Sequence, residues 1–403
     1  MNKYLNPTFF SLFFIINWDV IWTYILGKSS GGNTGLMLFF FVFIGVMDNI
    51  KSKYFIKRLF KKPYFIWFIW IVYALVNTFL KEESTSVLNM NISFVGFVMM
   101  PLIVMLIIGN LKINQIKYFL NLIIFSFLFR IVLSAIFDGF SSEFGGYRFG
   151  SEFNSNMIAF GGIIMSFIIF LKKAIYQRIS IFDKGLLMIT ILLIVLTASR
   201  KSFLSIFIMA FGYLIIFSSG NFVFKYLKVL MYSFALLAIS FFAFKDAIVV
   251  ERITETFNST KSATDEVEMF DGRALQYVNG IEVFKENYIT GVGLLNYSLI
   301  DEWGLVLHSE YLVQLVECGI IGFFIFLFFH AYIIRRLLKF RKKIEFKRVA
   351  GVFLLYYIVF FILSWGGWSY NVVVFWIVPG LAIRILNQFH SGGLKGNNIT
   401  IKY

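Results

Sequence analysis

Apolar runs about 20 residues long recur along almost the whole chain, and they constrain its fold more than any other feature. A helix of about 20 residues crosses the hydrocarbon core of a bilayer. We predict twelve such spans in the 403 residues. They are residues 9–27, 33–50, 63–80, 90–109, 118–137, 156–172, 184–199, 202–219, 226–245, 312–334, 349–365 and 371–388. Because helices satisfy their own backbone within lipid, these runs predict an all-α polytopic membrane protein that forms one domain over residues 1–403.

The composition excludes a soluble globular protein. Charged residues are 15% of the chain, whereas soluble domains carry about 25%. Hydrophobic residues are 59% of the chain, which is more than a soluble fold could cover. A net charge of +15 can indicate nucleic-acid binding. Here the lysines and arginines lie in short clusters between apolar runs, so we predict membrane lipids, and no nucleic acid, as partners.

The basic clusters also orient the predicted spans. With the amino terminus inside, most of the 37 lysines and arginines fall on the inner side, chiefly in residues 51–62 and 335–348, and most acidic residues fall outside. Positive charge marks the cytoplasmic side, so we predict that both termini are cytoplasmic. Two outer loops are long, residues 138–155 and 246–311, and the second immediately precedes the tenth span.

The loop at 246–311 is predicted to contain a helix. Asp271 could cap a helix that begins at Gly272, and an apolar stripe would run along it. The stripe consists of Leu275, Val278, Ile281 and Phe284. It would lie on the membrane surface or on the helix bundle. The sequence GVG at 291–293 indicates a tight turn, because the strand, helix and lysine of a phosphate-binding loop are missing.

The cysteine and histidine content argues against a metal or disulfide. Cys318 is the one cysteine, so no intrachain disulfide can form. The three histidines, His308, His330 and His390, are scattered along the sequence. We therefore predict no metal and no other cofactor.

Isolated arginines stand out in the acid-rich outer half of the chain. Arg130 lies inside the fifth span, where a charged group is costly and marks a functional candidate. The others are Arg148, Arg200 and Arg273. A guanidinium offers five donors in a planar fork that suits a diphosphate. The alternative is that each arginine reaches lipid headgroups or pairs with an acidic residue of a loop.

His308 is the candidate general base. It lies at the outer edge of the tenth span, and a neutral imidazole can accept a proton from a sugar hydroxyl. The alternative is an ordinary histidine at the membrane interface. Glu310 lies just after His308, and Glu317 lies nine residues beyond it in the same apolar run. Glu317 could be a second functional carboxylate or a polar contact between helices.

Several segments between residues 145 and 325 resemble, in order, the characteristic segments of O-antigen ligases and the related Wzy-type polymerases. The segments are RFGSEFNSN at 148–156, TASR at 197–200, DGR at 271–273 with FKENYITGVG at 284–293, and HS at 308–309 followed after nine residues by GIIG at 319–322. The first segment has Ser155 where the family has a proline between two asparagines, the second of which is Asn156 here.

The resemblance implies a fold similar to membrane glycosyltransferases of the GT-C type. It also implies a reaction without metal on sugars carried by undecaprenyl diphosphate. Arg148, Arg200 and Arg273 would hold the diphosphate leaving group. His308 would activate the acceptor hydroxyl, and a single displacement would invert the sugar carbon. The loop at 246–311 would carry part of this active site. The residues that would support the site are Arg130, Asn156, Glu310 and Glu317.

Three functions are consistent with this resemblance. The first is a polymerase that joins lipid-linked repeat units into O antigen or capsule on the outer face of the bacterial inner membrane. The second is a ligase that transfers a finished glycan to lipid A–core. The third, a transporter of the lipid-linked glycan, is disfavoured because the chain has only four prolines, few signs of broken helices and no visible repeat. Candidate partners are the glycan donor and acceptor, a chain-length regulator and a flippase.

Overall fold

The computed structural model describes most of the predicted spans and part of the connections between them. The described residues are 6–25, 34–50, 52, 55–81, 91–137, 140–141, 148–149, 155–197, 200–218, 224, 227, 231, 272–301, 307–365 and 373–390. Almost all of them are helical. A short antiparallel pair of strands, β1 (Phe140–Ser141) and β2 (Arg148–Phe149), lies in the predicted outer loop at 138–155, with Ser141 opposite Arg148.

The helices of the described part of the chain are as follows. They are α1 (Pro7–Val20, continued by a π-helical turn Ile21–Ile25), α2 (Thr34–Ile50), α3 (Phe55–Leu59), α4 (Lys62–Phe79), α5 (Asn91–Asn110), α6 (Ile113–Phe137), α7 (Ser155–Tyr176), α8 (Ile181–Leu196), α9 (Arg200–Phe217), α10 (Gly272–Glu286), α11 (Tyr297–Ile300), α12 (Glu310–Arg341), α13 (Lys347–Ser364) and α14 (Val373–His390). A 3-10 turn at Ile344–Phe346 links α12 to α13.

Every predicted span except one coincides with a helix. The exception is the ninth, 226–245, which lies outside the described residues apart from two helical positions. Within the described part of the chain, five helical segments are long and apolar enough to cross a membrane, and shorter apolar helices accompany them. The fold is therefore that of an all-helical polytopic membrane protein. The number of twelve spans and the extent of the single domain stay predictions.

The bundle is centred on α12, which packs against α4, α10, α13 and α14. The core at this centre is aromatic. Trp67 stacks on Trp70 with ring centroids 4.5 Å apart and contacts Trp376 of α14 at 4.1 Å. Phe326 and Phe329 of α12 complete the cluster. Aromatic rings bury large areas, so this cluster fixes α4, α12 and α14 relative to one another.

Large apolar side chains also cover the outside of the bundle. Phe40, Phe43, Phe125, Met188 and Phe324 are exposed, and they come from four helices, α2, α6, α8 and α12. A soluble protein rarely exposes so many large apolar groups. In a bilayer the same side chains contact lipid, which explains why these helices are apolar on their outer as well as their inner faces.

Helices α12 and α13 run in opposite directions. Tyr311 near the start of α12 donates a hydrogen bond to the Phe361 carbonyl near the end of α13 (2.7 Å). The start of α12 and the end of α13 therefore lie at the same end of the bundle. We call this end the outer end, following the orientation predicted from charge, and the opposite end the inner end.

Helix α9 begins at the outer end, as α12 does. Gly212 of α9 packs against Leu355 of α13, and Ile216, one turn later in α9, packs against Gly351, one turn earlier in α13. The two helices are therefore antiparallel. Since α13 ends at the outer end, α9 begins there.

Helix α7 begins at the outer end as well. Helices α8 and α9 are joined only by residues 197–199, so the end of α8 lies at the same end of the bundle as the start of α9. Gly162 near the start of α7 packs against Thr190 and Ile194 in the second half of α8. Because α8 ends at the outer end, the first turns of α7 lie there too.

Candidate active site

The predicted base lies at the outer end of the central helix. Helix α12 begins at Glu310, and Ser309 is its N-cap residue with an extended backbone. His308 comes just before the cap and is exposed, whereas Ser309 and Glu310 are buried. The start of a helix carries a partial positive charge, so an anionic group is favoured near this position.

Helix α12 is broken at Gly319, and the segment 288–293 fills the break. Gly319 has φ +63° and ψ −174°, which is not helical. The amides of Val292 and Gly293 donate to the carbonyls of residues 316 (2.9 Å) and 317 (2.8 Å) before the break. The first two amides after the break donate to the first two carbonyls of the segment, at 2.9 and 3.3 Å. The segment thus satisfies backbone groups that the break removes from the helix ladder.

The break requires glycine at two contacting positions. A Cβ on Gly319 would overlap the Ile289 carbonyl oxygen, and one on Gly291 would stand 2.5 Å from the Glu317 carbonyl oxygen. Both glycines also have positive φ, +63° and +75°. Only glycine allows this backbone conformation together with so close an approach of two backbone segments. The chain bends at Val292, within the stretch 291–293 where a tight turn is predicted, and this bend packs against α12.

Side chains of α4 support the filled break. Asn77 Nδ2 donates to the carbonyls of Thr290 (2.7 Å) and Glu317 (3.3 Å). Tyr73 Oη donates to the carbonyl of Cys318 (2.9 Å) and lies 3.3 Å from that of Thr290. Neither side chain is among the residues predicted from the sequence. A signal was available for Asn77, because it is a polar residue within the third apolar run, and such residues usually face protein rather than lipid.

A buried polar stripe runs along α12 from the outer end toward the break. Glu310, Gln314 and Glu317 lie one or two turns apart on one face of the helix. Gln314 Nε2 donates to Glu310 Oε1 (2.8 Å), and Trp70 Nε1 donates to Gln314 Oε1 (3.0 Å). Glu310, one of the predicted supporting residues, thus belongs to a buried network. Gln314 and Trp70 are members of this network that the sequence did not single out.

Glu317 is the deepest acidic group of this stripe. Its side chain is only 5% exposed. The backbone amide of Leu295 donates to its carboxyl group, and Leu295 itself has a positive φ of 60°. Among the described residues, Glu317 Oε2 has no hydrogen-bond partner. A buried carboxyl group with spare acceptor capacity is costly in a membrane span and marks a candidate functional group.

Helix α10 is held against the outer end of the bundle. Gly280 packs against Leu307 and Leu312, which flank His308 in the sequence. Tyr277 Oη, one turn earlier, donates to the carbonyl of Trp365 at the end of α13 (3.0 Å). Residues nearer the start of α10 therefore make contacts nearer the outer end. It follows that the first turn of α10 lies at the outer end.

The segment after α10 adds a second tether. Asp301 Oδ1 accepts hydrogen bonds from Asn279 Nδ2 of α10 (3.3 Å) and from Tyr297 Oη (3.0 Å). Burial and the neighbouring carboxylate of Asp301 raise the pKa of Tyr297, so this hydroxyl stays a hydrogen-bond donor. The link holds α10 and α11 together beside the candidate base.

The predicted helix at 272 is present, and its predicted stripe is divided. Val278 and Ile281 are each 45% exposed and face away from the bundle, whereas Phe284 packs partly against the core. The stripe is thus divided between the two surfaces proposed for it, and the helix turns Gln276 and Gly280 toward the bundle. Asp271 and the side chain of Leu275 lie outside the described residues.

The structure brings the backbones of several predicted site residues to the outer end. Arg200 is the first residue of α9, Asn156 is in the first turn of α7, and Arg273 is in the first turn of α10. Arg148 lies in β2, which contacts α8, the helix that leads to Arg200. The side chains of these four residues lie outside the described part of the chain, so their contacts with His308 stay predictions.

Arg130 lies below this end, inside the bundle. It is buried in α6, seven residues before the helix ends at Phe137. Seven residues of helix correspond to roughly 10 Å. A charged side chain within a span is costly when it faces lipid. Arg130 avoids this cost because it is buried inside the protein.

No metal-binding arrangement is found within the described ranges. A group of three histidine, cysteine or acidic side chains close enough to bind a metal ion does not occur there. Glu310 and Glu317 are members of the polar stripe, and Cys318 is a buried thiol next to the break.

A comparison with protein families finds a match in the region of the chain that contributes much of this site. Residues 185–327 match the Wzy_C family model, which is described as O-antigen ligase. The matched region begins in α8, includes Arg200, Arg273 and His308, and ends just beyond the break in α12. A search of curated proteins found no significant match.

Proposed function

We propose, from the premise that residues 185–327 are a domain of the O-antigen ligase and polymerase superfamily, that the protein polymerises oligosaccharide repeat units carried on undecaprenyl diphosphate. The product would be O antigen or capsular polysaccharide, made on the extracytoplasmic face of the inner membrane. One observation supports this proposal most directly. His308, Arg200, Arg273 and Asn156 all lie where a helix begins at the outer end of the bundle.

This arrangement suits a diphosphate leaving group. Departure of a lipid diphosphate builds negative charge on its phosphate oxygens, and fixed cations stabilise that charge. Arg148, Arg200 and Arg273 supply the cations in this proposal. The starts of α7, α9 and α12 add their partial positive charges at the same end of the bundle, which favours an anion there.

His308 acts as the general base. It is exposed at the outer end, so an acceptor sugar can reach it. The acceptor hydroxyl oxygen forms a bond to the anomeric carbon of the donor while the bond from that carbon to the diphosphate oxygen breaks. The hydroxyl proton moves to His308, and the undecaprenyl diphosphate leaves with the electron pair of the broken bond. This single displacement inverts the anomeric carbon.

The filled break keeps the base in place. The hydrogen bonds from the segment 288–293 and from Asn77 fix α12 about three turns below Ser309. Catalysis needs the reacting groups held within a fraction of an ångström, and a rigid backbone below the base supplies that. Glu310 and Glu317 stabilise the same half of the helix through their hydrogen bonds to Gln314 and to the Leu295 amide.

A ligase is the second candidate, because the matching family model is described as O-antigen ligase. The two activities share the donor and the leaving group and differ in the acceptor. A polymerase uses a second lipid-linked chain, whereas a ligase uses lipid A–core. A chain-length regulator and a flippase are proposed as partners for the polymerase.

A transporter is less well supported. The sequence predicts few broken helices, and the break in α12 is one that it does not predict. Discontinuous helices of transporters expose backbone groups to the substrate. Here the groups on both sides of Gly319 are occupied by the segment 288–293. The break is thus a structural joint, and its backbone groups are not available to cargo.

The test is a reaction of the purified protein with one undecaprenyl-diphosphate-linked oligosaccharide and no other acceptor, followed by separation of the products by size. We expect a ladder of increasing sugar length. If no ladder forms but added lipid A–core receives the glycan, the protein is a ligase. If neither occurs and the lipid-linked glycan crosses a vesicle bilayer in the presence of this protein, the transferase proposal is wrong.

A further inference from the structure

Three arginines surround one tyrosine at the inner end of the bundle, far from the proposed site. Arg58 belongs to α3, Arg336 to α12 and Arg384 to α14, and all three are half-buried. Their guanidinium groups all interact electrostatically with the hydroxyl of Tyr64 in α4. Arg336 lies 26 residues beyond the start of α12, or roughly 39 Å along the helix. This cluster therefore belongs to no part of the outer-end site.

The Tyr64 hydroxyl shares a small space with Arg58. Tyr64 is fully buried, and within the described part of the chain its hydroxyl has no hydrogen-bond partner. Gly109 at the end of α5 borders this space. A Cβ on Gly109 would overlap Tyr64 Oη and stand 3.6 Å from Nη1 of Arg58. Glycine at 109 thus leaves room for the hydroxyl and the guanidinium side by side.

The other two arginines are fixed but keep donors to spare. Arg384 Nε donates to the Leu111 carbonyl (2.5 Å), two residues after Gly109. Arg336 Nη1 donates to Asn387 Oδ1 (3.0 Å) on the next turn of α14. A guanidinium carries five N–H donors, and the bonds to described residues use one donor of each arginine, so each side chain is held in position with donors left for a ligand.

Among the described residues, no acidic side chain balances the positive charges of the cluster. Burial lowers the pKa of Arg58, and the group that opposes this effect is Tyr64. The groups that act on Arg384 are Arg58 and Tyr64, again without a carboxylate. Like charges in a partly desolvated place are costly. A bound anion would remove this cost and would also accept the hydrogen bond of the buried hydroxyl.

The surroundings indicate which anion. Ile56 and Phe60 flank Arg58 in sequence and are 58% and 69% exposed, and Leu338 near Arg336 is also exposed. Apolar surface next to a group of phosphate-binding side chains matches a molecule with a phosphate headgroup and acyl chains. A free anion would need no such surface.

We infer that Arg58, Arg336, Arg384 and Tyr64 form a binding site for the phosphate headgroup of an anionic phospholipid at the inner end of the bundle. The guanidinium groups bind the phosphate oxygens, and the Tyr64 hydroxyl donates to one of them. The exposed apolar side chains beside Arg58 contact the acyl chains. This inference does not depend on the proposed enzyme activity.

The test measures lipid binding by the purified full-length protein with native mass spectrometry in detergent. The probes are phosphatidylglycerol, phosphatidylcholine and inorganic phosphate. We expect tight binding of phosphatidylglycerol and weak binding of the zwitterionic lipid. In the double variant Arg58→Gln/Arg384→Gln the affinity for phosphatidylglycerol should fall by about tenfold or more, because two charge-assisted contacts are lost. The matched control is Arg335→Gln, an exposed arginine beside Arg336, which should keep its affinity.

A milder variant covers the case in which the double variant does not fold. Tyr64→Phe keeps the ring and removes only the hydroxyl, so we expect a folded protein with affinity lowered by about threefold to tenfold. Equal affinity in Tyr64→Phe, Arg335→Gln and the unmodified protein would overturn the inference. Equal binding of both lipids, or displacement of the lipid by inorganic phosphate at millimolar concentration, would overturn its assignment to an anionic phospholipid.

Discussion

At the scale of single residues, His308 and the groups just after it have opposite surroundings. His308 is exposed, whereas Ser309, Glu310 and Gln314 are almost fully buried. An exposed side chain at the start of a helix contributes little to packing, so its removal should leave the fold intact. Catalysis can therefore be tested at His308 separately from stability.

We expect His308→Ala to lower the rate of glycan transfer by about 100-fold to 10,000-fold, since the general base is lost. Expression and thermal unfolding in detergent should not change. The measurement is the initial rate with the lipid-linked oligosaccharide. Lys285→Ala, an exposed residue of α10, is the control and should keep full activity. A His308→Ala protein with normal rates would remove this residue from the mechanism.

Arg273 is the second residue with a specific expectation. Arg273→Lys keeps the positive charge but loses the planar fork, so the transfer rate should fall by about tenfold or more. Lys285→Arg makes the reverse exchange at the far end of the same helix and should have no effect. If Arg273→Lys and Lys285→Arg were equally active, a bidentate contact of Arg273 with the diphosphate would be excluded.

At the scale of elements, the broken helix α12 and the segment 288–293 form one unit. Gly319→Ala places a Cβ against the Ile289 carbonyl and forces a backbone conformation that is nearly confined to glycine. We expect it to lower the free energy of unfolding by about 3 kcal/mol or more. Glycan transfer should be lost with it, because His308 adjoins the same half-helix.

A matched control for this substitution lies in α8. A Cβ on Gly185 would meet no atom within 4 Å, and the residue is helical. Gly185→Ala should therefore be neutral or raise stability by about 0.5–1 kcal/mol. Thermal unfolding of both variants in the same detergent is the measurement. Similar unfolding temperatures for Gly319→Ala and Gly185→Ala would contradict the structure of the break.

The helices could be predicted from the sequence, but this joint could not. Apolar runs indicate where a chain can cross lipid, and α2, α5 and α13 begin and end within two residues of the predicted spans. The run at 312–334 has the pattern of one continuous helix, because hydropathy carries no information about which distant backbone groups pair. Gly291 and Gly319 are visible in the sequence, but only their contact explains why both must be glycine.

The candidate site likewise contains residues that could be predicted from the sequence and residues that could not. His308 and the arginines could be selected because their charge is unusual in an apolar chain or because they match a family segment. Tyr73 and Gln314 could not be selected, because their role depends on which group they face. Asn77 could be expected to face protein, but its partners, the carbonyls of Thr290 and Glu317, could not be predicted. Hydrogen bonds to a neighbouring helix are a property of packing and are not encoded locally.

At the scale of the whole molecule, the orientation in the membrane is the main expectation left to test. The natural Cys318 is completely buried and should not react, so any labelling reports an introduced cysteine. We expect Lys285→Cys to react with a membrane-impermeant maleimide on intact spheroplasts, since α10 lies toward the outer end. Lys342→Cys, exposed at the end of α12, should react only after the membrane is opened.

The unmodified protein is the control for this labelling, and it should stay unreacted in both preparations. Labelling of Lys342→Cys but not Lys285→Cys on intact spheroplasts would show that the protein has the opposite orientation in the membrane. The proposed site would then face the cytoplasm, where extracytoplasmic polymerisation could not occur. The lipid site inferred at the inner end would then be assigned to the outer leaflet.

The order in which the chain leaves the ribosome matters for the filled break. The segment 288–293 is synthesised before α12, yet the amides of Val292 and Gly293 find their acceptors only on residues 316 and 317. A nascent chain that stops short of these residues lacks the acceptors of both amides. The segment can therefore take up its final position only after the first half of α12 has been made. During biogenesis the outer end is consequently completed late.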